Sequence, residues 1–112
     1  MRKPTTEKAE VARLRRIYKD LPPNKLAIAD GLIVQAARLR VRLDELWEDI
    51  QENGSLEPFV QSSATEPYLR ERPASKMFTA TDKSYQSIIK QLDALTPVSA
   101  PRSKLAEMLD DD

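Results

Sequence analysis

The stretch PNKLAIADGLIVQAARLRVRLDELWEDIQEN, residues 23–53, decides the fold of this chain. Its apolar residues Ala29, Leu32, Ala36, Leu39, Leu43, Leu46 and Ile50 recur at steps of 3 and 4, an a/d heptad seam. Ile33, Ala37 and Trp47 form a second stripe that broadens the same face. Pro22 and Pro23 suit the first turn of a helix, where a missing N–H costs nothing. Asn53-Gly54 suits its end, because glycine accepts a left-handed cap. The spacing therefore predicts one helix over residues 23–53, about 46 Å long at 1.5 Å per residue. Gly31 is its expected soft point, about 1 kcal/mol less favourable than alanine.

The same pattern recurs on either side. Phe78, Thr81, Tyr85, Ile88, Leu92 and Leu95 again step by 3 and 4, with Met77, Ser84 and Ile89 beside them. Pro73 can open that helix and Pro97 can end it. Val11, Leu14, Tyr18 and Leu21 mark a shorter first helix, which Thr5 or Thr6 could cap. Residues 103–109 could form two last turns. Residues 55–72 contain Pro58 and Pro67 and are long for a structureless connection. They are expected to run extended along the helices and to bury Phe59 and Tyr68. Only two glycines occur, fewer than hairpin-rich sheets need. The reading is all-α: a short N-terminal helix, residues 1–21, then a long antiparallel helical hairpin with an extended connection, residues 22–97, then a tail, residues 98–112.

A helical hairpin with one short extra helix has little core at 112 residues. Two apolar seams on so short a chain call for copies of itself, and a ring-forming oligomer is the expectation. The other reading is a monomer in which the first helix and the connection cover both seams. The positions expected to carry assembly are Leu39, Leu43, Leu46, Trp47 and Ile50, packed against Tyr85, Ile88, Leu92 and Leu95 or their symmetry mates.

Composition excludes much chemistry. The chain has no cysteine and no histidine, so disulfides, thiol nucleophiles, the usual zinc cages and histidine bases are out of reach. Two glycines cannot build a phosphate loop. Glu45/Asp49 and Glu48/Glu52 sit one helical turn apart and could in principle hold Mg2+, but such pairs are ordinary on solvated helices. Trp47 in a helical stripe reads as core or interface. A non-enzyme without cofactor or metal is expected. No run of 18 apolar residues spans a membrane, and the basic N-terminus lacks the apolar stretch of a secretory signal. An intracellular protein is the default expectation.

Charge is zoned although it cancels, with 18 Lys+Arg against 18 Asp+Glu. Residues 1–20 carry Arg2, Lys3, Lys8, Arg13, Arg15, Arg16 and Lys19 against Glu7, Glu10 and Asp20. Arg38, Arg40 and Arg42 follow in the long helix, and then Asp44, Glu45, Glu48, Asp49, Glu52 and Glu57 with no basic residue among them. Acids at a helix C-terminus oppose its macrodipole, so they have outside partners on one reading and form a solvated face on the other. The basic segment likewise has two readings, a phosphate contact multiplied by oligomerisation or a plain solvated helix face.

In order and spacing, three stretches resemble one family. They are Arg16-Ile17-Tyr18-Lys19-Asp20-Leu21-Pro22-Pro23-Asn24-Lys25, then Leu43-Asp44-Glu45-Leu46 with Glu52-Asn53-Gly54, then Arg72-Pro73-Ala74-Ser75-Lys76-Met77-Phe78 with Ser84-Tyr85-Gln86-Ser87-Ile88-Ile89-Lys90-Gln91-Leu92. Across residues 13–97 they look like the small terminase subunit of tailed bacteriophages and prophages. The resemblance implies an all-helical ring in the host cytoplasm that recognises viral double-stranded DNA. It implies delivery of that DNA to the large terminase subunit, whose ATPase and nuclease the small subunit modulates without a catalytic centre of its own. Many small terminases carry a helix-turn-helix domain first, and the 21 residues before Pro22 hold only one helix. DNA contact would then come from Arg13, Arg15, Arg16 and Lys19, with Arg38 and Arg42. The tail with Arg102 and Lys104 would dock the large subunit. The alternative from another class is a helical adaptor or coiled-coil scaffold that binds only protein.

Overall fold

The computed structural model describes residues 5–96. Three helices and a small β-hairpin follow in the order α1 (Glu7–Ile17), α2 (Pro23–Asn53), β1 (Leu56–Phe59), β2 (Tyr68–Glu71) and α3 (Pro73–Ala94). The chain is mostly helical, as the periodicity requires. Pro97 and the tail segments expected from the sequence lie outside the described residues.

Local chemistry explains the boundaries. The Thr6 hydroxyl accepts the Ala9 N–H at 3.1 Å and caps α1. Pro23 and Pro73 occupy the first positions of α2 and α3. Helix α2 runs through the exposed Gly31 without a break, where an added Cβ would meet nothing. Gly54 ends it, but not in the left-handed helical conformation. Its φ of 82° and ψ of 177° lie in the mirror-extended region that essentially only glycine enters, and this turns the chain into β1.

The connection departs from expectation. Instead of lying extended along the helices, it folds on itself as an antiparallel pair, Leu56 opposite Glu71 through Phe59 opposite Tyr68. Cross-strand pairs hold it. Arg70 donates to Glu57 at 2.8 Å and stacks over the Phe59 ring at 3.8 Å, and Phe59 meets Tyr68 edge to face. Pro58 is tolerated because each strand of a two-stranded sheet keeps one open edge. Phe59 is half-buried and Tyr68 exposed, so the expected burial of both on the helices does not occur. Arg72 anchors the hairpin's base to α2, donating to the Gly54 carbonyl at 2.7 Å and to Asp49 at 3.0 Å.

The core sits at the other end. Leu14, Tyr18 and Leu21 pack with Ala29, Ile33 and Ala36 of α2 and Ile89 and Leu92 of α3. The N-terminal segment is therefore part of the same core, and Pro22 separates two elements rather than two domains. The expected partnership of Leu39–Ile50 with Tyr85–Leu95 is displaced along the hairpin. Trp47 meets Phe78 at 5.7 Å between centroids, and the Lys25 ammonium donates to the Leu95 carbonyl. That antiparallel register brings Leu39 beside Ile88 and leaves Ile89 and Leu92 to Ile33, Ala36 and α1. The molecule extends 64 × 29 × 23 Å with a radius of gyration of 18.4 Å. A globular chain of this size would have about 13 Å.

Candidate assembly and nucleic-acid interface

The six basic residues expected to touch DNA divide into two groups. Three are engaged by acids of the same subunit. Arg13 grips the buried Glu10 with two hydrogen bonds, 2.9 Å from Nε and 2.8 Å from the terminal nitrogen. Arg15 reaches from α1 to Asp30 of α2 with bonds of 2.8 and 3.2 Å. Arg38 of α2 reaches back to Glu7 of α1 at 2.7 Å. Two of these links tie α1 to α2, and the hydrogen bond and charge of Asp30 raise the Arg15 pKa further. The other three, Arg16, Lys19 and Arg42, are exposed and make no ion pair among the described residues.

The buried Glu10 and its part-buried partner Arg13 lie beside Tyr85 of α3. Burial raises the phenol's pKa above its ordinary value, the Glu10 carboxylate adds to that rise, and Arg40 and Arg13 oppose it. A buried carboxylate gripped at both oxygens is matched in charge, and the pair interacts across the helices with Tyr85.

On α1, Lys8, Arg15 and Arg16 are exposed, as is Lys19 in the turn after it, while both of that helix's acids are engaged with arginines. The sequence reading counted Lys8 in the basic segment but not among the DNA contacts, although its spacing of seven from Arg15 places both on one side of a helix.

The acidic zone also divides. Asp44 pairs with Arg40 at 3.4 Å, Asp49 with Arg72 at 3.0 Å and Glu57 with Arg70 at 2.8 Å. Much of the acid that opposes the α2 macrodipole is thus answered within the chain. Glu45, Glu48 and Glu52 are exposed, make no ion pair among the described residues and share one helix face at steps of 3 and 4. No group of three or more potential metal ligands occurs among the described residues.

Of the positions expected to carry assembly, Leu43, Leu46 and Leu92 are buried within the subunit, and Leu39, Ile50, Tyr85 and Ile88 are half-buried. Trp47 remains 49% exposed. The other exposed apolar residues were not among the expected assembly positions: Met77 in the second turn of α3, Leu56, Val60 and Leu69 on the hairpin, and Leu26 and Ile28 on the first turns of α2. Leu56, Pro58 and Leu69 share one face of the β-hairpin, and neither strand packs extensively on a helix.

Between α2 and α3 runs a groove of about 630 Å3. Apolar Leu39 and Ile88 line it together with polar Gln35, Arg38, Lys83 and Ser87. No carboxylate lines it, and Lys83 makes no ion pair among the described residues. No helix among the described residues is long and apolar enough to cross a membrane. Comparison with protein-family models, curated proteins and solved structures finds no match to this chain.

Proposed function

We propose that this chain is a small terminase subunit. It assembles with copies of itself into a ring, recognises viral double-stranded DNA, and delivers it to the large terminase subunit, whose ATPase and nuclease it regulates in the host cytoplasm. It has no catalytic centre of its own. The observation that carries this reading is the asymmetry of the hairpin. The core at its α1 end is dry, whereas Trp47, Met77 and the apolar face of the β-hairpin stay uncovered. Ile28, 60% exposed near the start of α2, is a second, unlike apolar site, about 28 Å from Trp47 along α2 at 1.5 Å per residue. Two unlike apolar sites on one subunit, Trp47 with its neighbours and Ile28, suit a heterologous contact, the kind that closes into rings. The family resemblance of residues 13–97 supplies the packaging role, and the exposed basic side of α1 supplies a surface for phosphates.

A second reading, a helical adaptor that binds only protein, is favoured by one observation. Arg13, Arg15 and Arg38 are engaged in ion pairs inside the subunit, which thins the basic surface. Size exclusion with light scattering tests assembly. A many-subunit particle is expected, and a clean 12.7 kDa monomer overturns the ring. A mobility shift with double-stranded DNA at low salt separates the two readings. Binding that weakens steeply with salt supports the terminase subunit, and no binding by the assembled particle supports the adaptor.

A further inference from the structure

We propose that the groove between α2 and α3 is the docking site of this chain's own C-terminal segment, residues 105–112. The groove asks for an occupant that is apolar on one side and acidic at one end. Leu39 and Ile88 line it without being fully buried, and its charged lining is cationic. Arg38 is already held by Glu7, so Lys83 is the charge left to answer.

The chain outside the described residues holds one sequence with those properties. Leu105, Met108 and Leu109 recur at steps that put them on one side of a helical turn, and Asp110, Asp111 and Asp112 follow at once. The other undescribed stretch, Met1-Arg2-Lys3-Pro4, is basic and lacks such a stripe, so its charge has the wrong sign for Lys83.

Reach is sufficient. The groove's α3 wall, Lys83 to Ile88, lies 8 to 13 residues before Thr96, the last described position. That is about 12–20 Å along a helix at 1.5 Å per residue. Residues 97–104 can span up to about 26 Å when extended, enough to bring Leu105 back to the groove. A segment on so short a tether meets its own groove at an effective concentration of order millimolar, ahead of any partner in dilute solution. The proposal does not depend on the packaging role, because neither the groove nor the segment was used to argue it.

Disulfide trapping in the full chain tests it, and the absence of native cysteine makes the readout clean. One chain carries Ser87→Cys with Ala106→Cys. The comparison chain carries Gln86→Cys with Ala106→Cys. Gln86 is exposed, does not line the groove and is the next residue along α3. Under mild oxidation the first pair is expected to close within one chain about tenfold faster than the second, the gain that a localised tether gives over a random one. Adding Lys83→Glu should slow the first pair about fivefold, in line with losing one exposed ion pair and adding a repulsion. Equal rates for the two pairs, closure between chains instead of within one, or a rate unmoved by Lys83→Glu would each overturn the proposal. Circular dichroism of every variant confirms that the helices are intact before rates are compared.

Discussion

At the α1 end of the molecule Leu14, Tyr18 and Leu92 are completely dry, whereas at the β-hairpin end Trp47, Met77, Leu56 and Leu69 stay 45–64% exposed. Both ends belong to the same long helical hairpin, and the heptad step of α2 is as regular in one half as in the other. What differs is the third element. At one end α1 and the turn after it supply Leu14, Tyr18 and Leu21 to the core, and two exposed ion pairs to α2 flank that contact. At the other end the third element is a hairpin of two four-residue strands, too small to be stable by itself and turned away from the helices. A helical seam thus says how much apolar surface must be covered, and the neighbouring elements decide whether the chain covers it alone.

The sharpest way to break that contrast is to truncate one side chain at each end. Leu92→Ala removes a fully buried side chain from the sealed end. It should cost about 3 kcal/mol, a typical value for a core leucine. A melting temperature lower by about 15 °C follows for a domain of this size. Trp47→Ala should cost the single subunit about 1 kcal/mol, since half of its ring already meets water. Its main effect should be a smaller particle in light scattering. If Trp47→Ala destabilises as much as Leu92→Ala while particle mass is unchanged, the open end is part of a single-subunit core and the contrast fails.

The junction between α2 and the β-hairpin offers the next test. Gly54 holds a backbone conformation that an L side chain strains to adopt, although there is open space around it. Gly54→Ala should cost about 2 kcal/mol from backbone strain alone. Because the Arg72 guanidinium bonds to the Gly54 carbonyl, the hairpin should loosen with it. Faster amide exchange in residues 56–71, with the α1 end still protected, is the expected pattern. Uniform loss of protection would mean that the two ends unfold as one unit and share their stability.

These differences also mark how far the sequence could be read. The steps of 3 and 4 with Pro23 and Gly54 placed both ends of α2, and Pro73 placed the start of α3, because helix periodicity and caps are local; α3 stops at Ala94, short of the expected Pro97. The β-hairpin escaped because nothing local announces it. Its strands are LEPF and YLRE, eight residues apart, and they are held by Arg70 on Glu57 and Phe59 across the sheet. The basic surface was half legible for the same reason. The charges of Arg13, Arg15 and Arg38 are visible in the sequence, but two of their three partners, Asp30 and Glu7, lie 15 and 31 residues away. Glu10 is only three residues from Arg13, but its burial near Tyr85 is a tertiary fact.

The smallest expected effects separate adjacent residues on α1. Arg15 spans to Asp30, while Arg16, next in sequence, is exposed without an ion pair among the described residues. Both side chains are well solvated, so neither Arg15→Ala nor Arg16→Ala should move the melting temperature much. Their effects on DNA should differ. If the outer side of α1 meets phosphates, Arg16→Ala removes one contact and lowers the slope of log affinity against log salt by about 0.9. Arg15→Ala should lower it less, because Asp30 already neutralises that guanidinium and is itself released as a repelling charge. Asp30→Asn in the same assay should strengthen binding, since it frees Arg15 for a phosphate. Equal slopes for all three variants and the parent chain would mean that α1 serves only to seal its own end. The basic side of that helix would then be a solvated surface, and the protein-binding adaptor would be the better account of the molecule.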